Sequence, residues 1–126
     1  MSLADHGLVL HQFQPYPELD GFWSFSTLLE NGWQALSVTH ACVRPNRNVA
    51  EFQLRLVVGT SNHLINAGGW PEELRPHANT ERIVSVNRQL HLIRFNTDGA
   101  VLLLGYSSSL QGEQLIGDFT LPRRAV

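Results

Sequence analysis

Six histidines, at positions 6, 11, 40, 63, 77 and 91, are the first residues in this 126-residue chain that invite chemistry. Imidazole is a common metal ligand, but two rings aim at one ion most simply when one residue separates them on a strand or when they stand four apart on a helix. No pair here has either spacing, and HExxH and CxxC are absent. Each histidine alone reads as a surface or partly buried side chain. A nucleophile is equally hard to find. Cys42, the single thiol, sits between Ala41 and Val43 with nothing nearby in sequence to lower its pKa, so it reads as packing. Ser107–Ser109 belong to a loop and not to a GxSxG turn. Glu72 and Glu73 are adjacent and point apart, unlike a working acid/base pair. Glycine-rich phosphate loops are missing too. The expectation is therefore a non-enzyme with no catalytic residue, metal or cofactor.

The three tryptophans remain. Trp23, Trp33 and Trp70 all lie beside glycines and turns instead of mid-strand. An exposed aromatic face suits a sugar, whose axial C–H groups pack on the ring while Asp, Asn, His and Arg grip the hydroxyls. A buried one plugs the end of a barrel. For Trp23 and Trp33 the plug is the better reading, and for Trp70 both stay open. Trp70 sits in GGWPEELRPH (Gly68–His77), where two glycines, two prolines, two acids and an arginine surround it.

The elements that must position these residues are short strands. VAEFQLRLVVGT (Val49–Thr60) sets Phe52, Leu54 and Leu56 on one parity against Glu51, Gln53 and Arg55 on the other, which is a half-buried strand. It follows WQALSVTHACV (Trp33–Val43), a second alternating run, across the RPNRN turn (Arg44–Asn48), so the two read as a β-hairpin. FWSFSTLLENGW (Phe22–Trp33) is ambiguous between a strand and a helical turn. In LHLIRF, Leu90, Leu92 and Arg94 share one face and His91, Ile93 and Phe95 the other, which implies that both faces are partly covered. NTDGA (Asn96–Ala100) is the clearest turn, because Asp98 and Gly99 tolerate positive φ. Ser107–Pro122 gives a polar loop and a last strand. No helical stripe exceeds two turns. The fold class expected is all-β, an antiparallel β-sandwich or small β-barrel in one domain over 21–126, preceded at 1–20 by an arm or first strand with a proline-rich connector.

Composition limits the partners. The net charge is −2, and all nine basic residues are arginines spread from Arg44 to Arg124. That pattern argues for local hydrogen bonding and against nucleic acid or an anionic membrane. No apolar run is long enough to span a bilayer, and no secretory signal precedes the domain. One cysteine excludes an intramolecular disulfide, so stability must come from the core or from assembly.

Gly32–Trp33, then CVRPNRNVAEFQLRLVVG (Cys42–Gly59), WPEELRP (Trp70–Pro76) and NTDGAV (Asn96–Val101) follow one another in an order that resembles the C-terminal receptor-binding head domains of bacteriophage tail fibres and baseplate proteins. About 90 residues are covered, from Gly32 to Phe119. The motifs are short, and their order and spacing carry the likeness. Trp70 stands where leucine is usual, Glu72–Leu74 depart from the pattern, and the first 30 residues match none of it.

The resemblance implies a homotrimeric virion component, made in the host cytoplasm, that sits among other tail or fibre proteins and adheres to host-surface polysaccharide. On this view Pro71, Arg75, Pro76, Asp98 and Gly99 are structural or assembly residues, with the Arg75 guanidinium bonding carbonyls across the loop or at a subunit contact. Asn62, His63, Trp70, His77 and Asn79 are the candidate glycan contacts, since they combine polar donors with one large aromatic between strands. The competing reading is a lipocalin-like or fatty-acid-binding-like barrel enclosing an apolar small molecule. GFW (Gly21–Trp23) and TDGAVLLLGY (Thr97–Tyr106) suggest it, whereas the short chain and the PEELRP connector speak against it.

Overall fold

The computed structural model describes residues 14–15, 23–36, 41–45 and 49–122. The segment 7–13 read as a first strand or arm, His6, His11 and His40, the Asn46–Asn48 part of the RPNRN turn and the side chains of Trp23 and Cys42 lie outside the described residues. Among the described residues ten strands run in chain order: β1 (Gln14–Pro15), β2 (Trp23–Ser24), β3 (Gln34–Ala35), β4 (Ala41–Pro45), β5 (Val49–Val57), β6 (His63–Ile65), β7 (Thr80–Val86), β8 (Gln89–Phe95), β9 (Val101–Leu104) and β10 (Gln114–Pro122). Three single-turn 3-10 segments, Ser26–Leu28, Glu72–Leu74 and Ser108–Leu110, are the only helical pieces among the described residues. The protein is all-β, and its strands form one antiparallel sheet that curls into a half-barrel.

The sheet order is β1-β2-β4-β5-β10-β7-β8-β9-β6, with β3 paired to β5 beyond the reach of β4. The expected β4–β5 hairpin is present, Val43 lying opposite Phe52 and Pro45 opposite Ala50. Trp33–Val43 is not one strand, however. Ala35 faces Leu56 and Ala41 faces Leu54, so six steps of one chain span two of the other, and the ladder breaks into β3 and β4. The ambiguous Phe22–Trp33 stretch combines both readings, with β2 giving way to the 3-10 turn at Ser26–Leu28.

Alternation determines which side chains go inside. Along β5, Ala50, Phe52, Leu54 and Leu56 are buried and the residues between them are not. β10 pairs with β5 over its whole length, from Gln114 opposite Val57 to Pro122 opposite Val49, and contributes Leu115 and Leu121 to the same concave side. Gly117 between them has a packing reason: a Cβ there would stand 2.7 Å from Val84 Cγ1. Phe52 is the hub of the core, with ring centroids 5.6 Å from Trp70, 5.0 Å from Phe95, 5.1 Å from Phe119 and 6.1 Å from Phe25.

Gly68–His77 closes the concave side. This connector carries the chain from β6 at the sheet edge to β7, across β9 and β8 in the strand order. On the way it inserts Trp70, Leu74 and Pro76, all buried. Gly68 N–H donates to the Asp98 carbonyl at 2.7 Å and Trp70 N–H to the Gly99 carbonyl at 2.9 Å, pinning the connector to the β8–β9 turn. That turn closes through Gly99 N–H to the Asn96 carbonyl at 3.1 Å, and the Asp98 carboxylate accepts from Ala100 N–H at 2.9 Å. Of the two residues expected at positive φ there, only Gly99 adopts it, at 92°. Asp98 acts through its side chain instead.

Candidate functional site

A tight turn joins β7 to β8. Val86 and Gln89 are paired, so Asn87 and Arg88 form a two-residue loop with φ of 49° and 64°. This type I′ geometry matches the twist of the strands, and Asn-Gly is its usual filling. Arginine at the second position keeps a left-handed backbone at a cost of about 1 kcal/mol relative to glycine. Beside this turn lies the loop leading into β10. Gly112 N–H donates to the Val58 carbonyl at 2.9 Å and Val58 N–H returns a bond to the Glu113 carbonyl at 2.9 Å, which seats the loop on the end of β5.

Between the two segments runs a groove of about 420 Å³ lined by Ser85, Asn87, Arg88, Gly112, Glu113, Gln114 and Ile116. Its chemistry is one hydroxyl, two amides, one guanidinium, one carboxylate and the aliphatic side chain of Ile116. Five other described arginines are engaged. Arg44 pairs with Glu51, Arg55 with Asp118 at 3.0 Å and Arg94 with Glu81 at 3.7 Å, while Arg75 and Arg82 donate to the carbonyls of Trp70 and Thr120, each at 2.8 Å. Among the described residues, the Arg88 guanidinium and the Glu113 carboxylate have no ion-pair partner. Both can bind a ligand without first breaking an internal bond.

The residues singled out from sequence fall elsewhere. Asn62 and His63 come together at the start of β6, where His63 Nδ1 and Asn62 Oδ1 are 2.8 Å apart. The Asn31 side-chain amide ties this edge to its neighbours, donating to the His63 carbonyl at 2.9 Å and to Asn66 Oδ1 at 3.0 Å. Asn79 is on a different element, its side-chain oxygen accepting from Thr97 N–H at 3.0 Å to brace the β8–β9 turn. His77 is exposed at the end of the connector. Trp70 requires a correction as a candidate glycan contact. It is 1% exposed, its ring is edge-on to Phe25 at 5.0 Å, and its Nε1 donates to the Leu74 carbonyl at 3.4 Å, so no face is left for a ligand. The plug reading describes it, as it does Trp33, which is buried with Nε1 donating to the Ser61 carbonyl at 2.8 Å.

Arg75 reaches back across its loop, as expected from its place before Pro76, and donates from Nε to the Trp70 carbonyl at 2.8 Å. Its guanidinium lies over Gly99 so closely that a Cβ there would stand 2.7 to 2.9 Å from it. Pro71 opens the 3-10 turn that contains Glu72, and Pro76 is buried behind it. Ser107 and Ser109 bond each other at 2.7 Å within their loop. Among the described residues no three His, Cys, Asp or Glu side chains gather in a metal-like group. No described helix is long and apolar enough to cross a membrane.

No protein-family model matches the chain, and no curated protein sequence matches it. The groove itself was hidden in the sequence because its two halves are about 30 residues apart, joined only by the β10–β7 pairing of Ile116 with Ser85. The one local sign was Val86–Gln89, a polar dipeptide between alternating runs, which marks a two-residue hairpin.

Proposed function

We propose that the chain is a non-catalytic adhesion module of the phage receptor-binding kind, which holds host-surface carbohydrate in the groove between the β7–β8 turn and the start of β10. The observation that carries this reading is the groove's lining. Planar amides, a guanidinium and a carboxylate, with the Ile116 side chain among them, are the groups that grip sugar hydroxyls and pack against a pyranose face. The groove's volume falls within the range of small-molecule sites and is sufficient for one or two sugar rings. Asn62 and His63 form a second polar surface at the β6 edge, available to a neighbouring stretch of the same polymer.

The sequence motifs behind the phage resemblance sit on parts that build a rigid scaffold: the β4–β5 hairpin, the connector that closes the half-barrel, and the β8–β9 turn. A homotrimer bound to other tail or fibre proteins fits this role, because weak single sites gain avidity when several copies face one surface. The competing small-molecule barrel needs an apolar interior space. Here Phe25, Phe52, Trp70, Phe95 and Phe119 occupy the concave side.

The test is a glycan array followed by titration calorimetry. The expected result is binding to a bacterial surface polysaccharide that Arg88→Ala and Glu113→Gln each weaken at least tenfold, or about 1.4 kcal/mol. Binding that survives both changes and is lost in Asn62→Ala or His63→Ala would move the site to the β6 edge. An array with no glycan bound, together with tight uptake of an apolar fluorophore, would replace adhesion by transport.

A further inference from the structure

We infer that the convex face of strands β10, β7 and β8 is a homotypic docking surface, where copies of this chain meet one another. Cross-strand register gathers its side chains: Ile116 lies opposite Ser85, Ser85 opposite Leu90, and Ile83 opposite Leu92. Val84, Val86, Ile93 and Phe95 take the inward parity of the same strands and are buried. Ile83, Leu90, Leu92 and Ile116 therefore project outward, with exposures of 63, 76, 38 and 43%. Single exposed aliphatics are ordinary on a protein surface. Four in one block are what a recognition surface looks like.

Area and charge select the occupant. The four side chains offer roughly 400 Å² of apolar surface, and two copies facing each other would bury roughly 800 Å² of it. With a polar rim this reaches the 1,200–2,000 Å² of a stable interface at its usual apolar share, so the face is of the right size for a second copy of itself. The rim is balanced in charge. Glu81 and Arg94 pair beyond one end of the block, while Arg88 and Glu113 lie at the other. A copy therefore meets no like-charged field, whereas an anionic membrane or nucleic acid would call for a surplus of cations. The chain also contains no lysine, one of the residues depleted from interface cores.

Facing copies form a two-fold pair, so this contact is separate from the trimer proposed above, and because Ser85 and Ile116 also line the groove a docked copy would compete with glycan there. Light scattering of the full chain at about 100 µM, where a micromolar Kd leaves most chains associated, compares the wild type with the Ile83→Lys/Leu90→Lys pair. The expected result is an oligomer in the wild type and one chain's mass in the variant, with unchanged β circular dichroism. An oligomer of unchanged mass in the variant would overturn the docking face while leaving assembly intact. A monomeric wild type would overturn both. Should the lysine pair unfold, Ile83→Thr/Leu90→Thr places a residue of high strand propensity at both positions and must still lower the mass. Because the groove shares Ser85 and Ile116 with this face, glycan binding on the same samples is expected to be at least as tight in the monomeric variant as in the wild type.

Discussion

Trp70, Arg75 and Arg88 show how one side chain's partners determine its role. Trp70 has the neighbours of a ligand loop in sequence and those of a core residue in space, with Phe25, Phe52 and Phe95 around its ring. Trp70→Ala is expected to cost about 3–5 kcal/mol in urea unfolding, the range for a fully buried large aromatic. Arg75 joins two turns at once through the Trp70 carbonyl and the bare Cα of Gly99. Removing it leaves that carbonyl without its donor, so Arg75→Ala should lose about 1–3 kcal/mol of stability while the folded fraction keeps its glycan affinity. Normal stability with lost binding would assign Arg75 to the site instead. Arg88 is the reverse case. Arg88→Gly relieves the positive φ and should leave stability unchanged or raise it by up to about 1 kcal/mol, while glycan binding falls. A marked loss of stability in that variant would mean the guanidinium holds the hairpin and not a ligand.

At the scale of elements, the long β5–β10 ladder is the spine on which the others are arranged. β3 and β4 share one edge of β5, while β10 takes the other and carries β7 beside it. Gly117 leaves room on β10 for the Val84 side chain of β7, which would stand 2.7 Å from a Cβ there. Gly117→Val should destabilise the protein by about 1–3 kcal/mol through overpacking against Val84, and the Gly117→Val/Val84→Ala double variant should recover part of that loss. Full additivity of the two losses would refute the contact. The β8–β9 turn is held both by its own bonds and by what packs on it. Its carbonyls at Asp98 and Gly99 serve the connector and its backbone at Thr97 is bonded by Asn79, so the turn and the connector should open together.

Across the whole molecule, the pairing of β5 with β10 brings together residues 57 to 73 positions apart, from Val57 opposite Gln114 to Val49 opposite Pro122. Non-local closure of this kind predicts refolding in milliseconds to seconds instead of microseconds. Amide exchange should reflect the same hierarchy. The amides of β5, bonded to β10 on one side and to β4 and β3 on the other, should exchange last, and those of β2 and β6 near the sheet's two ends should exchange first. Uniform protection across all strands would show a sheet that opens only as one unit.

The sequence by itself determined what can be decided locally. Phe52, Leu54 and Leu56 alternate with Glu51, Gln53 and Arg55, which identifies a half-buried strand and its inward face, and Gly99 announces its turn because φ near 92° excludes most side chains. Arg75 before Pro76 likewise pointed to a bond across its own loop. Tertiary structure decided the rest. A period of two tells which residues share a face but not which strand lies alongside, so the position of β10 between β5 and β7 was invisible, and with it the groove that this neighbourhood creates. The same holds for Trp70, whose fate depended on whether the connector lay on the outside of the sheet or across its concave side. Aromatic burial resolves that choice, since only the concave side offers Phe25, Phe52 and Phe95 to pack against.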